Sequence, residues 1–346
     1  MFIDIWLEKK EKERGISMKM EVPVVYPIIV PTSSSLLSFN FYLVKSHNSL
    51  FLIDAGINTE NCWIHFMNVL QENGFKISDI DKIILTHNHS DHTGLVNRIL
   101  DINNVPVYAH EKAVVRLKRD GEFISKRIDF FQTLYSDMGC KESGEKQVEK
   151  LKKAAIDNVS QIVNGEILLL EEEDVIEGFK VIETPGHAPD HIALLNEESG
   201  ILIAGDHLIQ HISSNALIEP DENGVKIHTL QQYEQSLKKC LKFPLTVVYP
   251  GHGGLVSNPH ALIEKRLKGI ERKSVEINEI LNNIPFTAAQ IAQLYYKEKY
   301  ESEFSLVMSE IIGHLDRLEQ LKKISKVKKG NEWYYYSNIS VANEEK

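Results

Sequence analysis

Between Ile83 and Leu95 the chain reads IILTHNHSDHTGL, a short apolar run followed closely by His87, His89, Asp91 and His92. A buried polar group without a partner costs roughly 2–7 kcal/mol. A fold that carries four such groups behind a strand must therefore supply partners or an ion. Beyond a strand end the backbone leaves the sheet, and side chains two positions apart can converge. His87 and His89 are expected to face one centre, and Asp91 and His92 a neighbouring one. Three later apolar runs end in the same way, each in a glycine-containing turn with one polar residue. They present His187 in ETPGHAPDH, Asp206 in IAGDHL and His252 in VYPGHGG. Loops at the ends of strands on a rigid scaffold are where binding groups gather.

The rest of the chain supplies the scaffold. Strands are predicted at residues 22–30, 41–44, 50–53, 82–85 and 105–110, then at 179–185, 191–196, 200–205 and 245–252, with a helix at 60–72 closed by Asn73-Gly74. Helical periodicity returns at 229–241 and 259–281, where Ile263, Leu267, Ile270, Ile277 and Leu281 share a face. Residues 111–165 form a charged, helical insertion of about 50 residues, longer than a usual connection. Its Phe123, Phe130, Phe131 and Tyr135 are expected to wall an apolar pocket. After residue 283 the pattern restarts with a helix capped by Thr287, a second helix carrying Met308, Ile311, Ile312, Leu315 and Leu318, and a hairpin turning at Gly330-Asn331. Helix, helix and two-stranded wing predict a winged helix. The expected organisation is a catalytic unit at 20–283 and a winged-helix unit at 284–346.

Composition narrows the classes. A net charge of −10 weighs against a general nucleic-acid binder. No apolar run approaches the roughly 20 residues of a membrane span. Cys62, Cys140 and Cys240 are odd in number and far apart, which fits neither a disulfide framework nor a cysteine zinc ribbon. With no secretory pattern at residues 1–15, a cytoplasmic protein with reduced thiols is expected.

In this order, LIDAG (with Asp54), THNHSDH, PGHAPDH, AGDH and PGHG resemble the metallo-β-lactamase superfamily over about residues 22–280. The resemblance implies an αββα sandwich holding two divalent metal ions. It assigns His87, His89 and His187 to the first ion, Asp91, His92 and His252 to the second, and Asp206 to both, with Asp54 orienting a ligand imidazole. Imidazole and carboxylate donors without thiolate suit zinc, and also iron or manganese. His89 stands where diiron oxygen-reducing members look to have Glu, and no flavodoxin-like domain follows, so hydrolysis is expected. The hydroxide would come from a water shared by both ions. Asp91 would be a ligand and would also orient the water or accept its proton. His191, His207 and His211 are candidate general acids, and Asp190 either bonds a ligand histidine or caps a turn.

The layout is similar to glyoxalase-II-like hydrolases extended by a winged helix, which implies a small thioester, lactone or other ester as substrate. An alternative is a single-stranded RNA endonuclease gripping its substrate with Lys322, Lys323, Lys326, Lys328 and Lys329 beside Trp333. A ligand-sensing DNA-binding regulator is a third reading, disfavoured by the complete donor set. A homo-oligomer through the tail is compatible with the sequence.

Overall fold

The computed structural model describes residues 22–282 and 284–338. The first sheet contains β1 (Val24–Pro31), β2 (Ser38–Ser46), β3 (Ser49–Ile53), β4 (Lys82–Ile84), β5 (Val107–His110) and β6 (Ile167–Leu170), in that spatial order. β1 to β3 pair antiparallel and β3 to β6 parallel. The second sheet contains β7 (Val175–Ile176), β8 (Phe179–Glu183), β9 (Ile192–Asn196), β10 (Ile201–Gly205) and β11 (Val247–Pro250), ordered β11-β10-β9-β8-β7. β6 and β7 have no counterpart in the sequence reading, because runs of four and two residues carry too little pattern to separate a strand from a loop.

The helices fill the connections. α1 (Glu60–Glu72) follows β3, and α2 (Ser90–Thr93) and α3 (Val96–Leu100) follow β4. The insertion between β5 and β6 holds α4 (Val114–Leu117), α5 (Gly121–Asp137) and α6 (Lys141–Asp157). α7 (Thr229–Cys240) precedes β11, and α8 (Pro259–Ile280), α9 (Ala288–Tyr296), α10 (Lys299–Ser302) and α11 (Phe304–Gln320) follow it. The hairpin β12 (Ile324–Lys329) and β13 (Glu332–Ser337) comes last.

The strands dictate the layers. β2 and β3 are apolar on both faces, and successive side chains of a strand point to opposite sides, so both faces need cover. Tyr42, Val44, Phe51 and Ile53 meet Phe179, Val181, Ile192 and Leu194 of the second sheet. The opposite set, Phe41, Leu43, Leu50 and Leu52, is covered by Cys62, Phe66 and Leu70 of α1. On the far side of the second sheet, Ala193, Leu195 and Leu202 pack under Leu230 and Leu237 of α7 and Ile263 and Ile270 of α8. The molecule is the αββα sandwich that the resemblance implies.

The insertion does not simply lie on this sandwich. Phe131, Leu134 and Tyr135 of α5 and Val148 of α6 share one core with Ile291, Met308, Ile311, Leu315 and Tyr335 of the C-terminal segment. Phe131 and Tyr135 sit one helical turn apart, so they face the same way, and Tyr135 meets Phe304 at 5.1 Å. This corrects the expectation that the aromatic segment walls one pocket: Phe131 and Tyr135 are core, Phe130 packs against that core, and Phe123 alone of the four lines the cavity beside His89 and His187. Thr287 and Gln290 close α9 with a reciprocal capping box, and the Ala289 N–H donates to the carbonyl of Met138 beyond the end of α5. Among the described residues no helix is long and apolar enough to cross a membrane.

Ile311 is fully buried at the centre of the shared core. Ile311→Ala is expected to cost about 2–5 kcal/mol. Urea unfolding followed at once by tyrosine fluorescence and far-UV circular dichroism would read this as a lower midpoint in both signals. A loss confined to one signal would mean that the insertion and tail unfold apart from the sandwich.

Candidate metal centre

All seven predicted donors meet at one end of the two sheets, delivered by four strand exits: β4 to His87, His89, Asp91 and His92, β8 to His187, β10 to Asp206 and β11 to His252. His89 Nδ1 lies 3.0 Å from both His87 Nε2 and His187 Nε2. Asp206 Oδ2 is 3.4 Å from His187 Nε2 and 3.1 Å from His252 Nε2, while its Oδ1 is 3.3 Å from His92 Nε2. Asp91 Oδ2 is 3.4 Å from His252 Nε2. Donors 2.0–2.1 Å from a tetrahedral zinc stand roughly 3.3–3.4 Å apart, so these separations are close to those of donors around a cation, and Asp206 has His187 on one side and His92 and His252 on the other. His92 Nε2 and Asp206 Oδ1 are buried with no hydrogen-bond partner. Orphaned donor atoms of that kind are what a cation would satisfy.

Each imidazole but one is fixed from behind. His92 Nδ1 lies 2.8 Å from Asp54 Oδ2. The Asp54 carboxylate also accepts from the Thr86 N–H and the Thr86 hydroxyl, both at 2.8 Å, and that hydroxyl lies 3.0 Å from His87 Nδ1. His187 Nδ1 donates to the carbonyl of Asn215 and His252 Nδ1 to that of Ser38, each at 2.9 Å. These bonds occupy the Nδ1 protons and leave Nε2 free as the donor to a metal. Sequence reasoning found Asp54 but missed Thr86, Ser38 and Asn215. Thr86 lies beside the motif and was legible there, whereas the other two act through carbonyls that any residue carries.

Electrostatics divides the donors. Burial, with His92 and His89 nearby, keeps His87 well below its ordinary value, and burial takes His187 down to about 4. Burial alone would also lower His92, but the carboxylates of Asp206, Asp54 and Asp91 hold it well above. Burial would raise Asp206, but the His92 and His252 imidazoles hold its carboxyl far down, so it stays an anion. Gly251 explains the PGH signature, since a Cβ there would lie 2.3 Å from Asp206 Oδ1 and 2.6 Å from His92 Cε1.

The candidate general acids lie outside the donor groups. His191 is buried; its Nε2 accepts the Asp206 N–H at 3.1 Å, so Nδ1 carries the proton and donates to Thr184 Oγ1 at 2.8 Å. It positions the Asp206 backbone. His207 is buried edge-on to Tyr233, and burial pushes it down to about 3. His211 is exposed and bonds the carbonyl of Ser35. Asp190 is buried, and burial raises its carboxyl against the pull of Arg116. Beside His89 and His187, a cavity of about 230 Å³ is walled by Phe123, Ile124, Ile128 and Leu151 of the insertion and by Arg116 and Arg127. Arg127 forms a two-pronged ion pair with Glu219.

A four-layer sandwich with this donor set at its strand ends belongs to the metallo-hydrolases. Residues 37–252 match the model of the metallo-beta-lactamase superfamily, and the chain is a member of it. It is 34% identical over 312 residues to the probable metallo-hydrolase YqjP of Bacillus subtilis (strain 168), over 90% of this chain and 97% of that protein. It is 24% identical over 278 residues to the atrochrysone carboxyl ACP thioesterase of Aspergillus fumigatus, over 78% of this chain and 70% of that one. A crystallised beta-lactamase domain protein from Burkholderia ambifaria has the same fold, with a TM-score of 0.75, 20% identity, and coverage of 91% of this chain and 93% of its own.

Replacing Asp54 by Ala removes the acceptor behind His92 and the Thr86 relay behind His87 without touching a donor atom. Metal affinity should fall about 10–100-fold, the usual cost of losing such an orienting group. Competition against a chromophoric chelator measures it directly, and an unchanged affinity would rule out the orienting role.

Proposed function

We propose that the protein hydrolyses a small thioester or ester with two divalent cations, zinc being the ion that suits the donors. The observation carrying this reading is the gathering of the seven donors at one place, with Asp206 3.4 Å from His187 and 3.1 Å from His252, next to a recess walled in part by apolar side chains. His87, His89 and His187 would hold one ion, Asp91, His92 and His252 the other, and Asp206 both. Such a pair of ions, when bound, makes hydroxide available near neutral pH and polarises a carbonyl.

The chain's own groups do the rest. Asp91 is the most exposed carboxylate of the set, its side chain 21% accessible against 7% for Asp206, so it takes the proton of the attacking water. Phe123, Ile124 and Ile128 receive the acyl group and keep water from it, and the recess suits a short acyl group better than a long one. The name of the fungal relative, a thioesterase, supports the same substrate class. Two of the five lysines offered for RNA are engaged within the molecule: Lys326 pairs with Glu319 and Lys328 with Asp137, and both lie over Trp333. A lysine engaged inside the molecule is a poor grip for phosphates.

Metal-loaded protein should cleave thioesters or lactones in a panel that also holds phosphodiesters and single-stranded RNA, and a chelator should abolish the cleavage. Chelator-sensitive RNA cleavage with carbonyl substrates untouched would overturn the reading. Asp206→Ala should retain at most one of two metal equivalents and lose more than about a hundredfold in turnover, since even orienting residues cost up to that much. Two bound metals at full activity would remove Asp206 from the shared position.

A further inference from the structure

We infer that the protein has a second binding site, apart from the donor cluster, for a small ligand carrying two or more phosphate charges. A cavity of about 660 Å³ lies between α8 and α11, with the loop 213–216 in its wall. Although the chain is acidic overall, five cations line this cavity, Lys265, Arg266, Lys268, Arg272 and Lys273, against two acidic side chains. Lys273 is neutralised by Glu310, and Arg272 lies 3.7 Å from Glu276. Arg266 spends one nitrogen on the carbonyls of Ile209, Gln210 and Ile212, at 2.8, 3.1 and 2.7 Å, none of which cancels its charge. Among the described residues Lys265 and Lys268 have no ion pair. A concave surface with that surplus concentrates anions.

The guanidinium of Arg266 and the free ammonium groups of Lys265 and Lys268 are donors matched to phosphate oxygens. The volume is that of a small-molecule site and exceeds the needs of one phosphate, and Ala216, Leu230 and Ile270 offer an apolar surface to the uncharged remainder. The wall is also tied to the metal centre, because Asn215 beside Ser214 supplies the carbonyl that fixes His187. The ligand is either the phosphorylated carrier of a thioester substrate, which rests on the hydrolase reading, or a free phosphorylated effector, which does not.

Full-length protein freed of metal with a chelator and then dialysed excludes binding of phosphate to cations at the donor cluster. Titrated calorimetrically, it should bind adenosine 3′,5′-bisphosphate one to one and adenosine not at all. Lys265→Glu with Lys268→Glu, both at exposed positions, should weaken binding at least tenfold, while Lys150→Glu with Lys153→Glu on α6 should leave it unchanged. The site is refuted if adenosine binds equally, if both double variants weaken binding alike, if the first double variant binds as wild type, or if a single-stranded oligoribonucleotide displaces the bisphosphate with higher affinity. A raised KM for a coenzyme A thioester, with an N-acetylcysteamine thioester unaffected, identifies the carrier; bisphosphate binding with both KM values unaffected identifies an effector. Should no thioester, lactone or other ester be cleaved, the hydrolase reading falls and the binding result still decides the site.

Discussion

The Asp54 carboxylate joins the two halves of the metal-side architecture. Its residue has φ = 60°, a left-handed backbone conformation that costs a non-glycine residue of order 1 kcal/mol or more. Three hydrogen bonds at 2.8 Å hold it there: from the Thr86 backbone, the Thr86 hydroxyl and His92. They tie the end of β3 to the chain leaving β4 and set the rotation of two imidazoles at once. Without that tie, His87 and His92 would face solvent-filled space as ordinary loop histidines, and the crowding of the motif would be a liability.

The second sheet is registered to the first by a comparable device. Ser38 and Asn40 at the start of β2 bind the turn after β11: Asn40 donates to the carbonyls of Pro250 and Gly253, and Ser38 takes the protons of Gly253 N and His252 Nδ1. His252 therefore reaches Asp206 and Asp91 from a loop that is itself bonded to the opposite sheet. The donor cluster is thus a product of inter-sheet packing, to which the buried Tyr42, Phe51 and Phe179 between the layers belong.

This division explains what could be read from the chain. Donor residues were legible because imidazole and carboxylate side chains carry the chemistry themselves, and because short continuous apolar runs set the strands that deliver them. The orienting carbonyls of Ser38 and Asn215 were not, since a backbone carbonyl has no sequence signature. Phe131 and Tyr135 were misread for a related reason: an aromatic stripe on a helix says that a face is covered but not by what, and the cover here comes from Met308 and Phe304, far along the chain. Arg127 was overlooked because its meaning depends on Glu219, its partner across the recess.

The same core gives the C-terminal segment its role. α11 packs simultaneously on the insertion, through Phe304 and Met308, and on the catalytic layer, where Gly313 stands against Leu230 of α7. Arg317 adds ion pairs to that second contact, bonding Glu234 of α7 and Glu271 of α8. Asn215, whose carbonyl fixes His187, donates its amide to the carbonyl of Leu306 on this same helix. A displacement of α11 would therefore be felt at His187 through one residue, whereas the Asp54 and Ser38 ties on the other donors would be untouched. His187 is thus the donor tied to the C-terminal segment, whereas His92 and His252 are tied to the first sheet through Asp54 and Ser38.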